Sequence, residues 1–185
     1  MTVEKSVEEL HHVSDPDAMG ALGARLGRVL RAGDLVILTG PLGAGKTTLT
    51  RGIGEGLGVR GPVQSPTFVL ARTHPSLVGG APLVHVDAYR LDGPDELDDL
   101  DLDFEGSVVV AEWGAGIVDT RTDWIEIVIE RPVGADDPDP VFDGNAPQAG
   151  KGAAAEMEDW SQTLIEPRRI TVNGYGPRWA GGVLG

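Results

Sequence analysis

The sequence predicts a single α/β domain in which a mixed, mainly parallel sheet is flanked by helices. Short apolar runs typical of buried strands are separated by segments with helical periodicity. One such run, residues 34–39, leads into a glycine-rich loop at residues 40–48 that matches G-x-x-x-x-G-K-[ST], and a helix is predicted over residues 45–57. A strand, this loop and a helix in direct succession indicate the P-loop NTPase-like class.

The glycine-rich loop predicts a phosphate-binding site. Glycines allow the backbone to curl until consecutive N–H groups point at phosphate oxygens, and the N-terminus of the following helix adds partial positive charge. In this pattern Lys46 would reach the β- and γ-phosphates, the Thr47 hydroxyl would bind Mg²⁺, and Thr48 would support the α-phosphate or the helix start. The alternative is a glycine-rich turn that carries a surface lysine.

The composition of the chain excludes several kinds of functional site and bears on the cellular location of the protein. The 185 residues are enough for one domain with a core, and 41% of them are hydrophobic. The absence of cysteine excludes disulfides, thiol catalysis and cysteine-based zinc sites. The N-terminus lacks the layout of a signal peptide, and the apolar runs are no longer than strands, so we expect a cytoplasmic protein without a membrane span.

The charge of the chain bears on its partners. A net charge of −14 argues against direct binding to a nucleic-acid backbone, since such binding depends on Lys and Arg. Residues 92–105 hold eight acidic residues and no basic one. This stretch predicts a short acidic helix and loop with a solvated face; a docking surface for a basic partner is the alternative.

Two elements are predicted before the glycine-rich loop. Residues 3–13 alternate weakly between apolar and polar side chains and predict an edge strand. Asp15 as the cap and Pro16 at the first helical position predict the start of a helix, which Gly33 would end. This helix leads directly into the strand that precedes the loop.

A second loop carries hydroxyl groups that are candidates for the site. Residues 63–70 are predicted to begin as a loop and become a strand, because Pro66 cannot donate to a sheet ladder. Ser65 and Thr67 lie on either side of this proline. In P-loop enzymes a threonine on a loop after the first helix often contacts Mg²⁺ or the γ-phosphate. The alternative is a plain Ser/Thr turn.

Two later strands carry candidate acids at their carboxyl ends. Residues 82–91 predict a strand, and Asp87 near its end could contact the metal shell or orient the attacking water. Residues 107–111 predict the most buried strand of the chain. Glu112, which follows it, either fits the Walker B pattern of a Mg²⁺-binding acid or merely marks an exposed strand end.

Two ring side chains lie near these acids. His85 shares one side of its predicted strand with Asp87 and is interpreted as a hydrogen-bonded structural histidine rather than a catalyst. Trp113 directly follows Glu112. It is interpreted as a core aromatic or as a cover over the nucleotide site.

The C-terminal third contains two strands separated by a segment of different composition. Residues 124–130 predict a strand, and residues 168–172 predict a last strand that pairs with it. The intervening segment is rich in Pro, Gly, Asp and Ala, which predicts a flexible insertion. The predicted division of the chain is a P-loop ATPase core at 1–131, the insertion at 132–158, and a C-terminal strand and tail at 159–185 that belong to the core.

Four motifs together resemble the TsaE family, formerly called YjeE. They are GPLGAGKTT at residues 40–48, SPTF at 65–68, HVDAYRL at 85–91, and the pair Glu112-Trp113 that closes an apolar strand. Their order and separations are similar to those of the family over roughly residues 15–130. The family is a small bacterial ATPase required for making threonylcarbamoyladenosine next to the anticodon in tRNAs that read codons beginning with A.

The resemblance implies a set of site residues. Thr47 and Glu112 would hold Mg²⁺. Lys46, Asp87 and Thr67 would take part in catalysis, and residues 65–67 would act as a switch loop. ATP would bind to the glycine-rich loop through Leu42, Gly43, Ala44, Gly45, Lys46, Thr47 and Thr48.

The resemblance also implies partners. The TsaD and TsaB proteins, which carry out threonylcarbamoyl transfer, would bind the chain, and ATP turnover would reset that pair. The chain would contact tRNA only indirectly, through the complex.

Three features depart from the family pattern. Gly114-Ala115 stands where the family usually has Pro and an acidic or polar residue after the tryptophan. The tyrosine usually found after the SPTF loop is missing, and the insertion is not a usual feature of the family.

Two other functions are compatible with a P-loop. A small-molecule or nucleoside kinase would need an acceptor pocket and usually an arginine-rich lid, whereas the basic residues here are scattered. A nucleotide-gated interaction protein without productive hydrolysis would share the same P-loop. An ATPase assay with and without candidate nucleosides separates the kinase from a TsaE-like ATPase. Comparing ATP with a non-hydrolysable analogue, in partner binding and in modification turnover, separates the nucleotide-gated interaction protein from it.

Overall fold

A seven-stranded mixed sheet forms the centre of the fold. The structure, a computed structural model, describes residues 3–66, 69–91, 96, 99–114, 121–132 and 166–185. The strands are β1 (Lys5–Val13), β2 (Leu35–Thr39), β3 (Ala71–His74), β4 (Leu83–Asp87), β5 (Val108–Glu112), β6 (Trp124–Glu130) and β7 (Arg168–Tyr175). Two α-helices lie wholly within the described residues, α1 (Pro16–Val29) and α2 (Lys46–Leu57).

The strand order is β1-β7-β6-β2-β5-β4-β3. The four strands β6, β2, β5 and β4 are parallel neighbours at the centre. Strand β7 is antiparallel to β6, β1 is antiparallel to β7, and β3 is antiparallel to β4. Since β1 therefore points the same way as β6, only β3 and β7 oppose the other strands. The predicted mixed, mainly parallel sheet is confirmed.

Both helices pack on one face of the sheet. The apolar sides of α1 and α2 bury Leu26 and Ile53 against Val36 and Leu38 of β2. The next residues along β2, among them Ile37, face the opposite side of the sheet, which residues 99–104 help to cover. Because β2 is buried on both faces, it reads as a continuous apolar run rather than an alternating one.

Glycines bring the backbones of α1 and α2 into direct contact. A Cβ atom at Gly27 would collide with the carbonyl oxygen of Ile53, and one at Gly52 would collide with the carbonyl oxygen of Gly20. Gly23 has the same relation to the carbonyl oxygen of Leu49. The close approach fixes α2, and hence the loop at its N-terminus, against the rest of the domain.

Helix α1 starts where the sequence predicts, but it ends earlier than predicted. The Asp15 side chain accepts a hydrogen bond of 2.8 Å from the Ala18 N–H, and Pro16 opens the helix as predicted. The helix ends at Val29 instead of continuing to Gly33, because Leu30 takes an extended conformation. That conformation buries the Leu30 side chain, which is 6% exposed, in the core.

The strand expected within residues 63–70 begins later. Residues 62–66 contain no strand, and the edge strand β3 starts at Ala71. Pro66 and the positive φ of 58° at Leu70 both oppose continuous ladder pairing at these positions. Residues 67 and 68 lie outside the described residues.

The C-terminal segment returns to the sheet. Strand β7 pairs with β6 from Arg169 opposite Glu130 to Tyr175 opposite Trp124, as the sequence predicts. The strand is longer than residues 168–172, and Trp179 beyond it is buried in the core. All but the first residue of the predicted insertion, and residues 92–95, 97 and 98 of the acidic stretch, lie outside the described residues.

Candidate functional site

The candidate acids and the glycine-rich loop meet at the carboxyl edge of the parallel strands. Asp87 is the last residue of β4 and Glu112 the last residue of β5, and the two are paired across these neighbouring strands. Glu112 is also paired with Leu38 of β2, two residues before the loop begins at Gly40. Open α/β sheets bind ligands at this edge, so topology brings together residues that are distant in sequence.

The loop between β2 and α2 has the backbone of an anion-binding turn. Gly43 and Gly45 have positive φ angles of 74° and 105°, which residues with a Cβ rarely adopt. Gly45 is the N-cap of α2, and no side chain caps the helix there. The start of α2 thus has no side-chain cap, and phosphate is the anion that such a loop and helix start bind well.

Lys46 lies folded over this loop. Its side chain is 3% exposed, and Nζ donates hydrogen bonds of 3.0 Å to the carbonyl oxygens of Gly40 and Pro41. A buried ammonium group needs such partners, since an isolated charge away from water is costly. The arrangement holds the ammonium group at the loop, where phosphate oxygens would be stronger partners than carbonyl oxygens.

The remaining members of the predicted loop set differ in exposure. Leu42 is 82% exposed at the tip of the loop, whereas Ala44 is buried beneath it. Thr47 and Thr48 lie half-buried in the first turn of α2. The Thr47 hydroxyl and the Glu112 carboxylate are hard oxygen donors of the kind that Mg²⁺ prefers.

The donor set fits Mg²⁺ only together with a phosphate ligand. Among the described residues, the protein offers no group of three or more His, Asp or Glu side chains that could hold a metal alone. Mg²⁺ in phosphate-transfer sites commonly takes one or two protein ligands and completes its shell with water and substrate phosphates. Thr47 and Glu112 are consistent with that kind of site and inconsistent with a permanent all-protein metal centre.

His85 contacts the candidate metal ligand. Nε2 of His85, which is wholly buried, lies 2.8 Å from Oε1 of Glu112. The side chain is thus a hydrogen-bonded histidine, as the sequence predicts, but the identity of its partner was missed. The sequence signal for this contact is limited to the alternation along β4, which places His85 on the same side of the strand as Asp87. Identifying Glu112 as the partner requires the register between β4 and β5.

Trp113 covers the site rather than the core. It has a positive φ of 63° and is 36% exposed. Lys46 Nζ lies 4.7 Å from the centroid of its ring, and the Tyr89 ring meets it edge to face at 6.0 Å. Of the two interpretations of Trp113, the core aromatic is therefore wrong. Its left-handed backbone turns the ring across the loop instead of into the sheet.

The other candidate catalytic residues are only partly described. The Asp87 carboxylate accepts a hydrogen bond of 3.3 Å from the Tyr89 N–H, at the start of a 3-10 turn over Ala88–Arg90. Ser65 is exposed at the end of its loop. Thr67 lies outside the described residues, so the predicted switch threonine stays a prediction.

An arginine from the last strand contacts the loop, and no sequence pattern indicated this contact. Arg168 of β7 is 2% exposed, and its Nε donates a hydrogen bond of 3.3 Å to the carbonyl oxygen of Ala44. Its Nη1 donates to the backbone and side-chain oxygens of Glu166, at 3.0 and 3.2 Å. Burial lowers the pKa of this guanidinium, which nevertheless stays charged at neutral pH.

Comparison with known proteins gives a consistent result. The family profile described as "Threonylcarbamoyl adenosine biosynthesis protein TsaE" matches residues 13–135. The chain is 53% identical over 166 residues to the tRNA threonylcarbamoyladenosine biosynthesis protein TsaE of Streptomyces coelicolor, covering 88% of this chain and 94% of that protein. It is 38% identical over 122 residues to the Bacillus subtilis protein of the same name, covering 63% and 74% of the two chains.

The fold also has a solved counterpart. The crystal structure of YdiB from Bacillus subtilis matches with a TM-score of 0.61 and 27% identity, covering 96% of this chain and 90% of that one. In the part of the chain that is described, none of the helices has the length and apolar character needed to cross a membrane.

Proposed function

The chain belongs to the TsaE family, whose role is in tRNA threonylcarbamoyladenosine biosynthesis, and we propose that it acts there as an ATPase. In this proposal it binds the TsaD–TsaB complex and couples ATP hydrolysis to turnover of that complex. The supporting observation is the pairing of Glu112 with Leu38 and Asp87 beside the loop that carries Lys46. A role in tRNA modification fits a cytoplasmic location.

Each residue of the site has a distinct proposed task. The backbone of residues 42–48 binds the phosphates, and Lys46 leaves the Gly40 and Pro41 carbonyls to pair with the β- and γ-phosphate oxygens. Thr47 and Glu112 would hold Mg²⁺, and the bound ion would supply positive charge that neutralises those phosphates. Asp87 orients the attacking water, and Thr67 contacts Mg²⁺ or the γ-phosphate as part of the switch loop.

The proposed role of the partners concerns the negative charge that develops during hydrolysis. Transfer of the γ-phosphoryl group develops negative charge that P-loop enzymes often compensate with an arginine finger. In the described part of the chain, the arginine against the loop is Arg168, and it contacts Ala44, which belongs to the floor of the loop. We therefore expect slow hydrolysis by the isolated chain and stimulation by the TsaD–TsaB pair. Contact with tRNA is indirect, in keeping with the net charge of −14.

The test is an ATPase assay in which TsaD and TsaB are titrated into the chain. The parental protein should hydrolyse ATP slowly alone and faster with the pair, whereas Lys46→Ala should lose both nucleotide affinity and hydrolysis. Lys5→Ala is the matched control, because Lys5 is exposed on the edge strand β1. Parental activity in Lys46→Ala would refute the phosphate site.

Two further arms separate the alternative functions. Turnover that requires a nucleoside acceptor would indicate a kinase. If a non-hydrolysable ATP analogue supports both partner binding and tRNA modification as well as ATP does, the chain is a nucleotide-gated interaction protein instead of an ATPase. Fast hydrolysis that does not respond to the partners would contradict the proposed coupling.

A further inference from the structure

A charged side chain is buried directly beneath the glycine-rich loop. Arg168 is among the largest side chains that are fully buried in the protein. Its guanidinium joins two segments far apart in sequence: Nε contacts the Ala44 carbonyl of the loop, and Nη1 contacts Glu166, just before β7. The Glu166 carboxylate, which is partly exposed, also accepts a hydrogen bond of 3.1 Å from Arg131.

Stability alone does not account for a buried arginine at this position. Removing an ion from water is expensive, and buried ion pairs can often be replaced by well-packed apolar side chains with little loss or even a gain in stability. The surroundings on this face of the sheet are apolar, since Ile170 and Val172 of the same strand belong to the core. A methionine would fill much of the same space without a buried charge.

The contact with Ala44 has a direct geometric consequence for the loop. In a trans peptide the C=O and the following N–H are coplanar and point in opposite directions. A hydrogen bond that holds the Ala44 carbonyl toward Arg168 therefore directs the Gly45 N–H away from Arg168, to the ligand side of the loop. The two positive φ angles on either side of Ala44, at Gly43 and Gly45, make this peptide easy to reorient if nothing holds it.

We propose that Arg168 is a positioning residue for the phosphate site, which holds the Ala44–Gly45 peptide so that the Gly45 N–H points at a phosphate oxygen. Its positive charge lies beneath the same loop and adds to the potential that attracts the anion. The residue acts through the backbone of the loop and does not itself contact the nucleotide. This inference rests on the proposed nucleotide-binding function.

The chain offers a matched control in the adjacent residue. Arg169 points to the other face of β7, its side chain is 59% exposed, and it forms an ion pair of 3.6 Å with Glu130. Replacing Arg169 removes the same formal charge from the same strand. It leaves the contact with the loop intact, so it separates a local effect on the loop from a general effect of net charge.

The experiment compares Arg168→Met, Arg168→Lys and Arg169→Met with the parental chain by calorimetric titration with ADP. The melting temperature without nucleotide is measured alongside. Arg168→Met should keep its melting temperature within a few degrees and bind ADP about tenfold more weakly, the size expected for a hydrogen bond to a charged group. Arg168→Lys should recover part of the affinity, because the charge is restored without the planar donor group. Arg169→Met should bind like the parental chain.

Each outcome decides the proposal. A folded Arg168→Met that binds ADP within about twofold of the parental affinity would overturn it. If Arg168→Met does not fold, Arg168→Lys decides: weaker ADP binding at an unchanged melting temperature supports the positioning role, and parental affinity refutes it. If the parental chain itself binds no ADP, the proposed function fails and the role of Arg168 fails with it, whereas parental binding with unaffected variants refutes the role of Arg168 alone.

Discussion

Nε2 of His85 lies 2.8 Å from Oε1 of Glu112, so a wholly buried side chain of β4 supports the candidate Mg²⁺ ligand at the end of β5. The hydrogen bond restricts the rotation of the Glu112 carboxylate. The second carboxylate oxygen, Oε2, takes no part in this contact with His85. Outer partners of metal ligands fix their geometry and affect metal affinity.

Glu112→Ala should weaken Mg²⁺-dependent ATP binding far more than metal-free ADP binding. The reason is that the carboxylate acts on the nucleotide only through the metal. Both affinities can be measured by calorimetry, with EDTA present for the ADP titration. Equal losses for the two ligands would mean that Glu112 has a structural role.

His85→Phe should raise the Mg²⁺ concentration needed for half-maximal ATP hydrolysis by about 10–100-fold, the usual effect of losing an outer partner of a metal ligand. Phenylalanine keeps a ring of similar size in the buried site but cannot hydrogen-bond to Glu112. The exposed His12 provides the control substitution, His12→Phe, on the edge strand. An unchanged Mg²⁺ requirement in a folded His85→Phe protein would contradict the role of the pair.

Gly27→Ala should destabilise the protein by about 1–3 kcal/mol, because its Cβ would press on the backbone of α2 at Ile53 and Gly56. Gly20→Ala in the same helix is the control, since a Cβ there meets nothing within 4 Å. That substitution should stabilise by about 0.5–1 kcal/mol through lower backbone entropy in the unfolded chain. Urea unfolding measures both, and destabilisation by the two changes alike would show that close packing is not the cause.

His74 makes stability depend on pH. Burial lowers its pKa from the ordinary value of 6.5, and electrostatic interactions with the nearby His85 and Arg72 act in the same direction. Between the lowered pKa of the folded state and the unfolded value of about 6.5, the folded protein therefore binds fewer protons than the unfolded chain, so stability falls as the pH decreases through that interval. In the described part of the chain, Nε2 of His74 has no hydrogen-bond partner, and a hydrogen bond with the Arg60 backbone offsets only part of the lowering of the pKa.

His74→Gln should consequently reduce the loss of melting temperature between pH 7.5 and pH 5.5. His12→Gln is the control, because His12 is exposed. Thermal unfolding followed by circular dichroism at the two pH values measures the effect. The prediction is wrong if His74→Gln and the parental chain lose the same number of degrees.

Binding to the TsaD–TsaB pair should weaken as the salt concentration rises. A net charge of −14 implies attraction to basic surfaces, and salt screens charges that lie more than about 8–10 Å apart at physiological ionic strength. Partner titrations at two salt concentrations, in the ATPase assay and by calorimetry, measure the effect. Affinity that is independent of salt would show that the interface is mainly apolar.

The local sequence determined most of the elements and which residues are candidates for the site. The run before Gly40, the glycines of the loop and the helix beyond it follow from hydrophobic periodicity and from the φ angles that only glycine adopts freely. Asp15 and Pro16 likewise specify the start of α1 through a hydrogen bond and a fixed φ within one turn. These features depend on neighbours within a few residues, so they can be read directly from the chain.

Only the tertiary structure decided which distant residues contact one another at the candidate site. His85 and Glu112 are 27 residues apart, and Arg168 is 124 residues from Ala44. Their contacts depend on strand order and register, which bring β4 beside β5 and β7 within reach of the loop. No short window of sequence encodes such a pairing, because it is selected by the burial of whole sheet faces and not by the preferences of single residues. For the same reason the local pattern left two environments open for Trp113, and its contact with Lys46 decided between them.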